Sequence, residues 1–257
     1  KNKIIEIDEV PPLYPWQRQT GQSIGEVPEW IWDGYYSVAE AADPKVPKYI
    51  GSAVAGVPGT ALPGFLKYRD LNGDGVITDL DKAYVGKANL PTTVIGFSTG
   101  ITYKRLSLNI LLQSALDYVV QVNYAFATPF KGNLQDIHLQ RWQADNPSAA
   151  QFPTLVTNFH GTYQTAGNYS TFWSINGNYL RIKSVEIGYQ LPERWANSVG
   201  MKGIRIYANG YDLYTWSASL KKYGLDPEVV RGAGASGADG IYPQTAIFNL
   251  GVNVSIK

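Results

Sequence analysis

The amino-acid sequence predicts an all-β protein, a segment of an antiparallel transmembrane β-barrel with long extracellular loops. Apolar and polar residues alternate over stretches longer than the about 5–6 residues of a typical soluble strand. Short connections between these stretches alternate with long ones, as they do in outer-membrane barrels. Aromatic residues reach 13% and charged residues only 17%, a balance that fits all-β proteins facing sugars or lipid.

The composition excludes several kinds of site and partner. There is no cysteine, so disulfides and thiolate metal sites are absent. The formal net charge is +1 and no basic run stands out, which argues against a nucleic-acid partner. No apolar run approaches the ~20 residues of a membrane helix. Because the sequence opens at Lys1 without a methionine or a signal peptide, we expect part of a longer protein or a processed product.

The clearest alternation lies in the final stretch of the sequence. From Ala246 to Ile256 every second residue is apolar, and most of the residues between them are polar or glycine. The same alternation begins at Leu106 and recurs at Ile204, and a less regular version covers Asn178–Gln190. Each of these stretches is therefore predicted to be a strand with one apolar face.

The full pattern predicts about seven strands. They are Lys3–Val10, Trp16–Gly25, Val94–Tyr103, Leu106–Ala125, Asn178–Gln190, Ile204–Trp216 and Thr245–Lys257. Lys104–Arg105 forms a tight turn, and Leu191–Gly203 is expected to contain a short helical turn after Pro192. The connections Thr128–Gly177 and Ser217–Pro243 are long, and placing them outside the cell makes the chain end in the periplasm. Seven strands cannot close a large barrel, so other strands must cover the two open edges.

The segment Asp70–Asp81 has the spacing of an EF-hand-like calcium loop. Oxygen-bearing side chains fall at loop positions 1, 3, 5 and 12, glycine stands at position 6, and a backbone carbonyl is available at position 7. The predicted calcium ligands are Asp70, Asn72, Asp74, Val76 and Asp81. The alternative is an acidic turn rich in glycine that holds no metal. No flanking helix pair is evident, so a bound ion would staple the loop.

Aromatic residues in or beside the long loops are candidates for substrate binding. These are Trp142, Trp173, Trp216 and Tyr223. Such rings can stack on sugar faces, but an aromatic girdle at the bilayer interface explains exposed Trp and Tyr equally well. The sequence alone leaves both interpretations open.

No catalytic constellation is predicted. Gly96–Gly100 with Ser98 at its centre matches the nucleophile-elbow pattern, but residues typical of strands continue on both sides of the serine. His138 and His160 lie in a predicted loop without an evident carboxylate or nucleophile partner. We therefore expect no enzymatic activity.

Five ordered segments resemble the SusC/RagA-type TonB-dependent outer-membrane transporters of Bacteroidetes. Their order and spacing also match the family. The segments are Pro63-Gly64 with Lys67–Gly75, Gly96–Leu108, Tyr179–Pro192, Tyr207–Trp216, and Asp226-Pro227-Glu228 with Tyr242-Pro243-Gln244. Each segment is a weak signal alone, and five in order are specific. Two departures are the non-aromatic end Val254–Lys257, and Asp212 where the family prefers asparagine.

The resemblance implies more than the pattern does. It implies that residues 1–257 form the C-terminal portion of a plugged barrel of about 22 strands, with the plug and an N-terminal extension upstream. It also implies a location in the bacterial outer membrane, uptake powered by the TonB system, and a SusD-like lipoprotein lid. The expected substrates are glycans or oligopeptides, on which the transporter performs no chemistry.

One further class of protein fits the same residues. A soluble, calcium-stapled β-sandwich that binds carbohydrate would share the aromatic residues and the Asp70–Asp81 loop. Such a domain would have shorter strands, and the apolar side of its last strand would face a core. The alternation of loop lengths and the ordered family segments favour the barrel.

Overall fold

The computed structural model describes residues 2–9, 12–50, 53–54, 57–122, 134, 136–155, 170–228 and 244–256, with backbone alone at 53–54 and 57–58. The chain divides into two compact units. One comprises residues 1–90, 117–176 and 230–241, and is called here the loop unit. The other comprises residues 91–116, 177–229 and 242–257, and is called the sheet unit. Among the described residues, no helix has the length and apolar character needed to span a membrane.

Most of the regular secondary structure of the described residues is strand, with a few short helices. The strands are β1 Glu29–Trp30, β2 Trp32–Tyr35, β3 Lys48–Tyr49, β4 Ala53–Val54, β5 Val57–Pro58, β6 Leu66–Tyr68, β7 Val76–Ile77, β8 Lys82–Ala83, β9 Thr93–Tyr103, β10 Leu106–Leu116, β11 Val119–Gln121, β12 Ser174–Asn176, β13 Tyr179–Gln190, β14 Met201–Trp216 and β15 Ile247–Ile256. The α-helices are α1 Val38–Ala42 and α2 Glu193–Ser198. Turns of 3₁₀-helix cover Pro15–Gln17, Asp79–Asp81, Asp136–Gln140, Pro147–Ala149 and Leu220–Tyr223.

The sheet unit is an antiparallel sheet of five long strands in the order β15-β14-β13-β10-β9. These five strands confirm the all-β antiparallel prediction, and their bounds lie close to the predicted ones at most ends. The tight turn at Lys104–Arg105 joins β9 to β10, and Lys104 adopts a positive φ of 55° there. The predicted helical turn after Pro192 is α2, for which Pro192 is the N-cap residue.

The register gives the sheet two chemically different faces. One row of paired residues is entirely apolar and runs Leu250, Ala208, Ile187, Leu108, Ile101 across the five strands. The neighbouring row is on the opposite face and runs Asn249, Asn209, Glu186, Asn109, Gly100. Because side chains alternate between faces along each strand, the alternation read from single strands gives the sheet one mainly apolar face and one mainly polar face.

Two strand predictions need correction at their ends. The predicted strand Leu106–Ala125 ends at Leu116, because Asp117 adopts a left-handed φ of 60° that breaks the ladder. Val119–Gln121 then pairs with Ser174–Asn176 in the loop unit, and residues 123–125 lie outside the described residues. At the other end of the sheet β14 begins at Met201, three residues before the predicted start.

The prediction of seven long strands is wrong for the two at the start of the chain. Within Lys3–Val10 and Trp16–Gly25, the described residues form only an isolated bridge, Lys3 to Ser23, and the end of a 3₁₀ turn. Glu9 explains part of the missing strand pairing. Its carboxylate accepts hydrogen bonds from the backbone N–H groups of Gln19 and Thr20 at 2.9 and 3.1 Å. Those donors serve a local loop and are not available to a ladder. Val10 itself lies outside the described residues.

The loop unit has short strands and an aromatic core. Its fully buried large apolar side chains are Trp30, Tyr36, Phe65, Leu66, Ile77, Val122, Phe152 and Trp173. Ring contacts join part of this set, with Trp30 and Tyr68 stacked at 5.5 Å and Phe152 and Trp173 edge to face at 5.6 Å. Aromatic side chains bury large areas each, so a few of them supply a core that the short strands could not build alone.

Candidate functional site

The predicted calcium loop folds as a tight turn held by its own side chains. The Asp70 carboxylate accepts the backbone N–H groups of Gly73 at 2.7 Å and Gly75 at 2.8 Å. Asn72 and Asp74 form successive Asx-type turns, accepting from Asp74 N–H at 3.1 Å and Val76 N–H at 2.9 Å. Gly73 and Gly75 have φ of +75° and +85°, which explains the two glycines. The three side chains at positions 1, 3 and 5 therefore belong to one loop.

The fourth predicted side-chain ligand, Asp81, has a different environment. It is completely buried, and its carboxylate accepts hydrogen bonds from Leu71 N–H at 2.9 Å, Asn72 N–H at 3.4 Å and Thr78 N–H at 2.8 Å. Asp81 thus closes the loop through backbone groups, forming a capping box with Thr78. Within the described residues no group of three or more His, Cys, Asp or Glu is arranged to hold a metal. The donors of the first half suit calcium chemically, whereas Asp81 already serves the fold.

The Asp70–Asp81 loop is also where separate segments of the loop unit meet. The indole N–H of Trp16 donates to the Leu80 carbonyl at 3.0 Å, and the indole N–H of Trp30 donates to the Thr78 carbonyl at 2.7 Å. β7, within the loop, pairs in parallel with β3. The loop is therefore hydrogen-bonded to parts of the chain up to 64 residues away.

The four predicted substrate-binding aromatic residues occupy different environments. Trp173 is completely buried, and Trp142 and Tyr223 are also buried. Trp142 packs against Gly64, where a Cβ would lie 2.6 Å from the indole ring. Trp216 alone among the four has an exposed ring, and it lies on the apolar face of the sheet, edge to face with Tyr214 at 4.7 Å. A buried ring offers no face to a ligand, so among these four residues only Trp216 presents its ring at the surface.

The polar face of the sheet carries a buried ion network centred on Arg181. This side chain is 2% exposed, and its guanidinium donates to Asp226 at 2.6 Å, Glu228 at 2.9 Å and Gln244 at 2.8 Å. Its Nε donates to the Thr215 hydroxyl at 2.7 Å. A planar guanidinium with five donors can serve several acceptors in fixed directions, which a lysine ammonium cannot do in the same way.

Lys183 and Tyr179 extend this network along β13. The Lys183 ammonium lies 2.7 Å from Asp212 and 2.9 Å from Glu228. The Tyr179 hydroxyl donates to Glu228 at 3.1 Å and accepts from the Gln113 amide at 3.1 Å. Asp212 has a φ of 50° at an irregularity in the pairing of β13 with β14, which turns its carboxylate toward Lys183.

Sequence reasoning missed the Arg181 network as a site, although it had singled out every segment that builds it. Arg181 and Lys183 belong to the Tyr179–Pro192 segment, Asp212 to Tyr207–Trp216, and Asp226, Glu228 and Gln244 to the last pair of segments. The two basic residues precede Val185 on the parity that is apolar further along the strand, a departure from alternation that was a usable signal. A buried charge requires a partner, so two cations in a strand predict carboxylates brought from elsewhere.

The residues weighed for catalysis lie in unrelated places. Ser98 is in the middle of β9, opposite Leu111, with strand on both sides. His138 is buried and packs edge to face on Phe152 at 4.7 Å. His160 lies outside the described residues. The strand around Ser98 lacks the sharp strand-to-helix turn of a nucleophile elbow.

Known proteins resemble this chain in sequence and in fold. No protein-family model matches it. TonB-dependent receptor P3 of Formosa agariphila is 25% identical over 99% of the chain, and TonB-dependent receptor P26 of the same organism is 27% identical over 78%. The chain spans 25% and 20% of the lengths of these two relatives. A solved structure of the RagAB peptide transporter superposes with a TM-score of 0.59 at 20% identity, over 92% of this chain and 23% of that chain.

The two kinds of comparison agree with each other. Two receptors of one class match in sequence, and the solved transporter matches in fold. Both relatives are receptors by name, which supports the prediction that this chain is not an enzyme. The predicted resemblance to the SusC/RagA-like TonB-dependent outer-membrane transporters is therefore confirmed.

Proposed function

We propose that this chain forms part of the wall of a TonB-dependent importer in the bacterial outer membrane. The observation that carries the proposal is the contrast between the two faces of the five-stranded sheet. On β15 the apolar side chains are open to the surroundings, with Leu250 84% and Phe248 75% exposed. In water such a face is costly, whereas in a bilayer it is the face that a barrel strand turns to lipid.

The hydrogen bonds and ion pairs on the polar face also support the proposal. Arg205 donates to Glu186 at 2.7 Å and to the Ser107 hydroxyl at 3.2 Å, and Asn249 donates to Asn209 at 3.0 Å. Together with the Arg181 network, these contacts run over four of the five strands. Charged and amide groups of this kind require water or one another, so this face suits the lumen of the barrel.

The outermost strands of the sheet, β9 and β15, require further strands beside them. Each has one edge of backbone N–H and C=O groups without a strand partner among the described residues. In lipid every such group costs several kcal/mol when left unpaired. We infer that the rest of the barrel supplies the neighbouring strands, and the small share of the relatives' length covered by this chain supports this inference.

The substrate and the partners are proposed from the family resemblance and not from a site in this chain. The RagAB proteins are a peptide transporter, and the proposed substrates here are oligopeptides or glycans. A SusD-like lipoprotein is proposed as the lid, and the TonB system as the source of energy, acting on the part of the transporter that carries the plug. The exposed Trp216 is proposed as an interfacial residue, with substrate stacking as the alternative role.

Calcium is proposed as a structural ion of the Asp70–Asp81 loop. Oxygens of Asp70, Asn72, Asp74 and the Val76 carbonyl would hold it, and the ion would supply no chemistry beyond stapling the loop. Its expected effect is to stiffen the contacts that Trp16 and Trp30 make with this loop. The soluble β-sandwich with the same calcium loop remains the competing proposal.

The membrane proposal is tested on native material. The transporter that contains this chain is extracted in detergent and run on a gel with and without boiling, and every co-purifying chain is identified by mass spectrometry. We expect a heat-modifiable band that contains this sequence together with upstream barrel strands and a lipoprotein. A water-soluble 28.3 kDa protein without partners would overturn the proposal in favour of the β-sandwich.

A further inference from the structure

A buried carboxyl group in the loop unit has no role in the import proposal. Glu29 lies on β1 and is 2% exposed. Its Oε1 accepts a hydrogen bond from the Gln121 amide on β11 at 3.1 Å and a second from the Ser174 hydroxyl on β12. The Gln121 amide also donates to the Ser174 hydroxyl at 2.9 Å. One carboxyl oxygen therefore joins β1 to the β11–β12 pair.

The other two oxygens of this cluster are orphaned. Glu29 Oε2 and Gln121 Oε1 are both buried, and neither has a hydrogen-bond partner among the described residues. Both atoms are acceptors when the carboxyl group is ionised, so they cannot pair with each other. Leaving two buried acceptors unpaired destabilises the fold, because each has lost its hydrogen bonds to water without gaining a partner.

One proton removes this conflict. A carboxylic acid and a primary amide can form two hydrogen bonds, with the amide N–H donating to the carboxyl C=O and the acid O–H donating to the amide C=O. The first of these is present, from Gln121 Nε2 to Glu29 Oε1. We propose that Glu29 is a proton-binding site, a neutral carboxylic acid whose Oε2–H pairs with Gln121 Oε1 and clasps β1 to the β11–β12 pair.

The surrounding charges are consistent with a neutral carboxyl group. Burial raises the pKa of Glu29 to about 7, the Ser174 hydrogen bond opposes this shift, Glu26 adds to it, and Lys87 opposes it. On β8, which pairs with β1, Lys82 is engaged by Asp79 at 3.0 Å and lies over the Trp30 ring at 4.2 Å. β11 and β12 carry no charged residue. Among the described residues, no lysine or arginine forms an ion pair with Glu29 that would neutralise its ionised carboxylate.

The sign of the pH effect follows from the raised pKa. The clasp is fully formed below the carboxyl group's usual pKa near 4.5 and is lost as the pH rises through about 7. Across that window the equilibrium between the clasped and open forms shifts by a factor on the order of 100. The loop unit is therefore more open in mildly alkaline than in mildly acidic surroundings.

The test is hydrogen–deuterium exchange on the full transporter at about pH 5.5 and about pH 8.5, corrected for the intrinsic exchange rates. In the wild type we expect the peptides covering β11 and β12 to lose protection strongly at the higher pH. Glu29→Gln keeps an amide pair with Gln121, so its protection is expected to be the same at both values. Glu40→Gln is the control, because Lys67 and the Ser37 N–H hold the pKa of Glu40 to about 2 and it stays ionised throughout.

An exchanged pair keeps the test decisive if the single variant folds poorly. Glu29→Gln with Gln121→Glu moves the acid to the other side of the same pair and is expected to restore the pH response. The proposal is overturned if Glu29→Gln responds to pH as the wild type does. It is equally overturned if the exchanged pair folds and shows no response.

Discussion

The sheet unit and the loop unit hold their chains together by different means. The strands of the sheet unit are 10 to 16 residues long and pair along most of that length. The strands of the loop unit are two to four residues long, and buried rings and side-chain caps replace extended ladders. The loop unit turns its largest apolar side chains inward, whereas the sheet unit leaves apolar residues such as Leu250 exposed. A region with its own core is stable in water, and a region with an exposed apolar face depends on its surroundings.

The largest expected effect concerns the one strongly buried charge cluster of the described sheet unit. Arg181→Met leaves Asp226 and Glu228 in a buried site without their guanidinium, and we expect a loss of about 3–5 kcal/mol of stability. The melting of the detergent-solubilised transporter, followed by the loss of heat modifiability, measures it.

Arg205→Gln is the matched control for that substitution. Arg205 lies on the same face and pairs with Glu186, but both side chains are about one-third exposed or slightly less. We expect a cost of about 1 kcal/mol or less from this variant. Equal costs for the two arginines would contradict the view that burial makes the Arg181 network more important for stability than the Arg205–Glu186 pair.

The next effect tests the proposal that the apolar side of the sheet faces lipid. Leu250→Arg puts a charge on the apolar face and is expected to cost about 2–4 kcal/mol if the residue lies near the bilayer midplane. Folding yield into lipid vesicles measures it. Asn249→Arg places the same charge on the polar face one residue away and is expected to fold nearly as well as the wild type. Similar folding yields for both variants would contradict the proposal that the apolar face of the sheet contacts lipid.

A smaller effect separates the two roles of the Asp70–Asp81 loop. Asp81→Ala removes the acceptor of the Leu71 and Thr78 N–H groups and is expected to cost about 1–3 kcal/mol, with or without calcium. Asp74→Ala should leave the fold intact while abolishing any effect of a chelator on the protease resistance of this loop. Wild-type resistance that a chelator does not change would count against calcium.

The smallest effect is the cap of α1. Ser37 and Glu40 form a capping box, and Glu40 also pairs with Lys67 at 2.7 Å. The pKa of Glu40 is depressed to about 2, so its stabilisation is present above its usual pKa and is lost as the pH falls toward 2. Because Glu40 is partly exposed, Glu40→Ala is expected to cost only about 1 kcal/mol near neutral pH. Chemical denaturation at neutral and acid pH measures the difference.

More of the sheet unit than of the loop unit could be predicted from the sequence, because long strands with one apolar face leave a periodic pattern and short buried strands do not. In β15 one face is uniformly apolar, so a period of two appears directly in the sequence and fixes the strand and its register. β1 has only two residues, and both are buried. Glu29 is hydrogen-bonded to Gln121, and Trp30 packs against core rings and donates to the Thr78 carbonyl. Contacts between residues 48 or 92 positions apart leave no periodic signal.

The site residues show the same division. The spacing of Asp70, Asn72 and Asp74 is local, and the loop they form was readable from the sequence. Asp81 satisfies the same motif but serves the backbone, which spacing cannot reveal. Arg181 contacts residues 34 to 63 positions away, so each sequence segment contained members of the network but did not show that they meet.

The most direct test of the proposal that the apolar face of the sheet contacts lipid uses the absence of cysteine from this chain. Single cysteines are placed in turn at Phe248, Asn249, Leu250, Gly251 and Val252 of β15, and each full transporter is labelled in membranes with a lipid-soluble and a water-soluble thiol reagent. We predict strict alternation, with 248, 250 and 252 labelled from the lipid and 249 and 251 from the water-filled side. Labelling of every position by the water-soluble reagent, with no alternation, would contradict the assignment of the apolar face to lipid.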